Sequence, residues 1–243
     1  MLHSTAARIA FAHFPKTAGH SMIEWFRGTF ADAAFVEADA PLGVSHLPVR
    51  ESLLRLGVNG GYGRRLGRVG RRIVRSLVPF ETPPGSRWRV IGVVREPLEM
   101  LVSLYEYWRD YPFKEVPATA LIHAARTGSF RGFLNQAVVR GSLPKYENFF
   151  DVGGTAWKDT RLLDFATLDG ALATVAREWG IDVPEHGLAR RNVGPRPDRD
   201  LSPYADEAGP LLLAVHAHFR WYYSVARRIV VRGGEPARGI AAA

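Results

Sequence analysis

Near the start of the chain, one lysine, two hydroxyl residues and a glycine stand together in Pro15-Lys16-Thr17-Ala18-Gly19-His20-Ser21. These residue types suit an anion. Lys16 brings a point charge, Thr17 and Ser21 bring hydroxyls, and Gly19 lets the backbone come close to a ligand. The segment follows a short apolar run, Arg8 to His13, that reads as a buried strand. It precedes Ser21 to Phe30, which reads as a helix with Met22, Ile23, Trp25, Phe26 and Phe30 on its apolar side. Strand, loop and helix in that order aim loop N–H groups and the positive end of the helix dipole at the same space, where a phosphate or sulfate would be held. The loop is not of Walker A type, because here the lysine comes before the glycine. The plain alternative is an ordinary strand-to-helix turn with a capping hydroxyl.

A second constellation follows Arg89 to Val94, whose β-branched, non-alternating sequence RVIGVV predicts a strand buried on both faces. Arg95-Glu96-Pro97 comes directly after it, and Pro97 to Trp108 reads as a helix with Pro97 near its first turn. At a strand end, Arg95 can fork onto a phosphate. Ser103 lies about two helical turns along, so position alone does not force it to converge with Arg95. An Arg–Glu surface pair and a helix serine are the plain alternative.

The elements that must position these residues alternate in type. Ala34 to Glu37 reads as a short strand and Pro48 to Leu56 as a helix. Ser129 to Val139, Leu168 to Trp179 and Pro210 to Ala226 are further helices, the last carrying Leu212, Val215, Phe219 and Tyr222 or Tyr223; Arg228 to Val231 closes as a strand. Strands separated by helices predict an α/β fold with a central parallel sheet covered on both faces, and ligands in such sheets lie beyond the carboxyl ends of the strands. Both constellations fall at such ends. With no repeat and no linker-like stretch, residues 1–243 are expected to form one domain, with a basic Gly/Arg-rich insertion at about 57–78 and a tail, 233–243, that frays.

Together the two motifs resemble those of the sulfotransferases that use 3′-phosphoadenosine-5′-phosphosulfate (PAPS), closest to the glycan, heparan-sulfate type. FPKTAGHS is similar to the family's 5′-phosphosulfate loop, often PKTGGTS, and VVREPLEMLVSLYEYW to its 3′-phosphate motif of a strand, Arg, Pro and a later Ser-x-Tyr. The resemblance is strong over 8–30 and 88–108 and weaker over 129–232, where DFATLDGALATVAREWGI, ARRNVG and FRWYYSVA look like the family's late helix, Asn-containing loop and closing aromatic helix. It implies a three-layer, P-loop-like α/β domain. It also implies that Lys16 contacts the phosphosulfate and its bridging oxygen, that Thr17, Ala18, Gly19, His20 and Ser21 form the cradle, and that Arg95 and Ser103 bind the 3′-phosphate. The product would be PAP, the desulfated nucleotide. The sequence departs from the family's pattern at His20, where Thr is common, and at Ala18, where Gly is frequent.

Sulfuryl transfer to an alcohol needs a base for the hydroxyl proton and a cation near the leaving oxygen. Lys16 suits the second role, and no metal-ligand spacing is evident. His46, in Val44-Ser45-His46-Leu47-Pro48, resembles the segment in which glycan sulfotransferases keep a catalytic histidine, with Ser45 in place of a Gly. Glu24 and Glu51 are rival bases. His13 reads as structural or adjacent to the site, His216 and His218 as packing or surface residues, and His123 and His186 have no special context.

Composition narrows the rest. The chain has no cysteine, which removes disulfides and thiolate metal sites. No signal peptide or membrane-spanning run is evident, so a cytoplasmic protein is expected. The formal charge of +8 and pI of about 10.1 favour anionic partners. Between Glu51 and Glu81 no acidic residue interrupts Arg64, Arg65, Arg68, Arg71, Arg72 and Arg75, which recur at helical spacing. They read as a solvated basic loop or as an arm for an anionic glycan or lipid acceptor; nucleic acid is disfavoured because no binding motif accompanies the charge. Two other function classes stay open: a polyanion-binding protein without catalysis, and a nucleotide-dependent phosphotransferase. The acceptor's identity, O- or N-sulfation and oligomeric state have no sequence signal.

Overall fold

The computed structural model describes residues 1–36, 46–56, 87–110, 119–152, 158–182, 187–189, 200–226 and 230–233. The Arg-rich stretch, His186, most of ARRNVG and the tail after Gly233 lie outside the described residues. The chain is α/β, with a five-stranded mixed sheet flanked by helices. The strands are β1 (Leu2–Ser4), β2 (Ile9–Ala12), β3 (Ala34–Phe35), β4 (Trp88–Val94) and β5 (Lys158–Asp164), in the order β3-β1-β2-β4-β5.

The parallel sheet expected from the sequence is present only in part. β2, β4 and β5 run parallel, with Ile9 opposite Arg89 and Trp88 opposite Lys158. β1 is antiparallel to β2, and β3 to β1. The reason is local. A tight turn joins β1 to β2, too short for anything but an antiparallel return. Arg8 takes φ 53° in that turn. Asp32 fastens it from outside, accepting from the Ser4 hydroxyl at 2.6 Å and the Ala6 N–H at 2.9 Å.

Strand side chains alternate between two apolar cores, one on each face. Ile9, Phe11, Ile91, Val93 and Leu163 meet Met22, Trp25 and Phe26 of helix α1 (Gly19–Thr29) and Ala171, Leu172 and Val175 of a later helix, Leu168–Trp179. Ala10, Ala12, Val90, Val94 and Leu162 face the other core, which holds Phe14, Met100, Leu101, Leu104, Phe130, Phe133, Tyr146, Phe149, Phe150 and Phe219. Gly92 is required in the middle of β4, because a Cβ there would lie 2.4 Å from the Phe150 ring and 2.8 Å from Leu162. Most of the second core comes from α2 (Val49–Arg55), α3 (Pro97–Asp110), α4 (Ala120–Thr127), α5 (Phe130–Leu134) and α6 (Tyr146–Phe149). The remaining helices are α7 (Leu168–Trp179), α8 (Ser202–Ala208) and α9 (Leu211–His218).

Two helices expected as single α-helices change character along their length. Ser129 to Val139 is α5 followed by a π-helical turn, Asn135–Val139; Pro210 to Ala226 is α9, a break at Phe219, and a second π-helical turn, Tyr222–Ala226. Of the final strand expected at Arg228 to Val231, Arg228 and Ile229 lie outside the described residues, and Val231 forms a parallel bridge with Leu163. At the opposite sheet end, Arg89 donates to the Trp179 carbonyl at 3.1 Å, and Arg161 pairs with Asp159 and Glu178. These two arginines hold β4 and β5 to α7, so their charge serves the fold. Among the described residues no helix is long and apolar enough to cross a membrane.

Candidate functional site

The carboxyl ends of β2, β4 and β5 point to one edge of the sheet. From β2 the chain passes through His13 and Phe14 into the loop that carries Lys16, and enters α1 at Gly19. Phe14 is fully buried and packs edge-on against Tyr146 at 4.6 Å and Phe149 at 5.0 Å. The loop above it has left-handed backbone at two residues that are not glycine, Lys16 with φ 61° and Ala18 with φ 59°. Such geometry costs an L-residue about 1–2 kcal/mol and persists where the surroundings enforce it, commonly at functional sites. It also explains why a glycine would suit position 18. The buried Thr17 turns its hydroxyl back to donate to the Phe14 carbonyl at 2.9 Å, so that proton holds the loop's shape. Ala18, the N-cap of α1, has no capping side chain, and no acidic residue stands in the first turn. The helix's own first turn thus supplies no carboxylate to offset the dipole there.

Gly19 makes room for His13. A Cβ on Gly19 would lie 1.7 Å from the His13 Nε2. The His13 ring thus covers the start of α1 at van der Waals distance. Gly19→Ala should cost about 1–3 kcal/mol, the usual penalty for overpacking, and lower Tm by several degrees. Adding His13→Ala should recover most of the loss, and a thermal-unfolding cycle over both variants measures the coupling. Additive losses would mean that the two residues do not share this space.

His46 lies just before α2, and its ring stands 4.4 Å from that of His13. Its Nδ1 is 3.0 Å from the His13 carbonyl oxygen. A carbonyl only accepts, so Nδ1 donates and carries the proton, and neutral His46 keeps its lone pair on Nε2. Desolvation, and to a smaller degree neighbouring positive charge, lowers its pKa, against the opposing pull of the His13 carbonyl. His46 nonetheless has exposed surface, so desolvation comes from the ring's close neighbours and solvent can still reach the residue. His13 is buried, its Nδ1 finds no partner among the described residues, and its pKa is held well below the ordinary value by burial and then by His46 and His20.

The His13 shift makes stability depend on pH. Below about pH 6.5 the unfolded chain takes up a proton that folded His13 refuses, so stability falls as pH falls, by about 1.4 kcal/mol per pH unit for each such histidine. His13→Gln should make the slope between about pH 6.5 and 5 shallower by one proton, read from denaturant midpoints across that range. Equal slopes would remove His13 as the source.

From β4 the chain enters Arg95. Its backbone is fixed by the buried Tyr146, whose hydroxyl donates to the Arg95 carbonyl at 2.9 Å and accepts its N–H at 3.4 Å. Burial raises the Tyr146 pKa far above the ordinary phenol value, so it stays a donor. Tyr146 thereby joins the floor of the lysine loop, through Phe14, to the arginine at the next strand end. The Arg95 guanidinium lies 4.3 Å over the Phe165 ring and pairs with Glu99 at 3.2 Å. Glu96 caps α3 by accepting the Glu99 N–H at 2.9 Å, and its other oxygen accepts the Tyr223 hydroxyl at 2.9 Å. From β5 come Asp164, 3.3 Å from Arg232, and Phe165. The Tyr222 pKa is pushed up to about 12, by desolvation first and then by Asp164, Glu96 and Glu99. Glu99 is the carboxylate that meets the Arg95 guanidinium, while Asp164 and Glu96 are engaged by Arg232 and by Tyr223 and the Glu99 N–H.

The lysine loop also touches the helix of the second motif, with Lys16 Nζ 4.2 Å over the Tyr107 ring. His46 joins the β2 end through His13. Ser103 is half-buried on α3, and among the described residues the Arg95 side chain bonds to Glu99 and not to Ser103. Ser21 is buried and His20 exposed at the start of α1. Of the rival bases, Glu51 pairs with Arg55 at 2.6 Å and Glu24 is exposed on α1. Tyr107, Tyr146, Phe165 and the anchoring role of His13 were not read from the sequence; the first three are aromatic residues within segments that otherwise read as core. Among the described residues, no group of three His, Cys, Asp or Glu side chains could hold a metal ion. Compared with known proteins, the chain matches no family model, no curated protein and no solved structure.

Proposed function

We propose that the chain is a PAPS-dependent sulfotransferase that moves a sulfuryl group to a hydroxyl, less readily an amine, of a carbohydrate, glycolipid or small-molecule acceptor. One observation carries the reading. A lysine loop opening onto a helix N-terminus and an arginine at a strand end lie at the carboxyl ends of adjacent parallel strands, β2 and β4, joined beneath by Phe14 and Tyr146. Two cationic positions, each on rigid backbone, suit a ligand with two separated anionic groups. In this reading the domain is a three-layer, P-loop-like one with two antiparallel strands, β1 and β3, added on one side of the sheet.

PAPS would supply an activated sulfuryl group whose S–O bond to the 5′-phosphate breaks as the acceptor oxygen bonds to sulfur. Lys16 would balance charge on the departing phosphate oxygen. The backbone of Ala18 to Ser21 would hold the 5′-group at the start of α1, and Arg95 with Ser103 the 3′-phosphate. His46 Nε2 would take the hydroxyl proton, since its Nδ1 already donates to His13. The basic composition favours an anionic glycan or glycolipid as acceptor.

Calorimetric titration with PAP, with 5′-AMP beside it, tests the proposal. Tight PAP binding with much weaker AMP binding is expected. Equal affinities would remove the 3′-phosphate site. Absence of PAP binding would remove the reading and leave polyanion binding as the alternative.

A further inference from the structure

We infer that Tyr107 is a positioning residue for Lys16. The role rests on the sulfotransferase reading of Lys16; the contact itself does not. Lys16 has a long, flexible stem, and a free ammonium would sample many positions. Two features restrict it. Its backbone is held at φ 61°, which sets the direction in which the stem leaves the loop. Its Nζ then rests 4.2 Å from the Tyr107 centroid, well within cation–π range. Tyr107 belongs to α3, whose start is fixed by the Glu96 cap directly after Arg95. The helix that follows the arginine of one motif therefore carries the ring that places the lysine of the other.

An aromatic face suits this task for a physical reason. It attracts an ammonium through its quadrupole and carries no full negative charge of its own, so the ring can orient the lysine without neutralising it. The chain's lysines are Lys16, Lys114, Lys145 and Lys158, few enough to be observed one by one.

Reductive ¹³C-methylation of the lysines gives each a distinct methyl resonance, with Lys16→Arg assigning its own. Ring current should displace the Lys16 resonance upfield in the wild type and in Tyr107→Phe, which keeps the ring, and return it to an ordinary position in Tyr107→Leu. Turnover should fall about tenfold in Tyr107→Leu, mainly in kcat with little change in KM for PAPS, and be restored in Tyr107→Phe. An undisplaced Lys16 resonance in a protein that binds PAP overturns the positioning role alone. So does full turnover in Tyr107→Leu. A displaced resonance that PAP does not move, in a protein that does not bind PAP, overturns the sulfotransferase reading and the role with it.

Discussion

Arg95→Ala is expected to weaken PAP binding about a hundredfold while leaving 5′-AMP within about twofold, because a charge-assisted pair to a phosphate contributes about 1.5–3 kcal/mol and AMP lacks the group it would meet. The variant is a clean probe because the fold does not depend on the guanidinium. Tyr146 holds Arg95 through main-chain N–H and C=O, which alanine retains. The Glu99 pair that is lost is partly exposed, and such pairs contribute at most about 1 kcal/mol. Glu99 should itself oppose the nucleotide, since its carboxylate occupies the guanidinium that a 3′-phosphate would need. Glu99→Gln is therefore expected to tighten PAP binding about threefold without affecting AMP. Parallel titrations of the two variants with both nucleotides read all four values. Equal loss for PAP and AMP in Arg95→Ala would place the arginine elsewhere in the site. Weaker PAP binding in Glu99→Gln would mean that the carboxylate orients Arg95 and does not compete with the ligand.

Most of what positions the site was legible because it follows from local sequence. The unbroken apolar run of Arg89 to Val94 specifies a strand buried on both faces, and Leu168 to Trp179 has the boundaries that its periodicity predicted. The short strand expected at Ala34 to Glu37 is present as β3, whereas β1 was not legible, because Leu2–Ser4 has one large apolar residue and owes its place to the turn that Asp32 fastens. β5 was missed for a related reason. Its first half, Lys158 to Arg161, reads as polar, yet Arg161 is buried there because Asp159 and Glu178 pair with it. At the site, the residue types in the two motifs could be read from the sequence, whereas the contacts that join them could not. Phe14–Tyr146–Arg95, Lys16–Tyr107 and His13–His46 all link positions far apart in the chain, and single-sequence periodicity has no access to such pairs.

Lys16→Ala is expected to lower kcat by about a thousandfold, with a smaller loss of PAP affinity, because a cation placed where charge develops acts mainly in the transition state. The backbone makes this variant interpretable. Lys16 already has φ 61°, a conformation in which alanine is no more strained than lysine, so the substitution should leave the loop's shape and the unfolding midpoint nearly unchanged. Thr17 holds that shape independently through the Phe14 carbonyl. Single-turnover measurements with preloaded PAPS separate the chemical step from binding. A variant that lost affinity a thousandfold but turned over normally at saturation would make Lys16 a ground-state anchor, and charge stabilisation would then have to come from the helix dipole and the N–H groups that open α1. A full loss in the chemical step with near-normal PAP affinity would place the Lys16 ammonium at the oxygen that leaves.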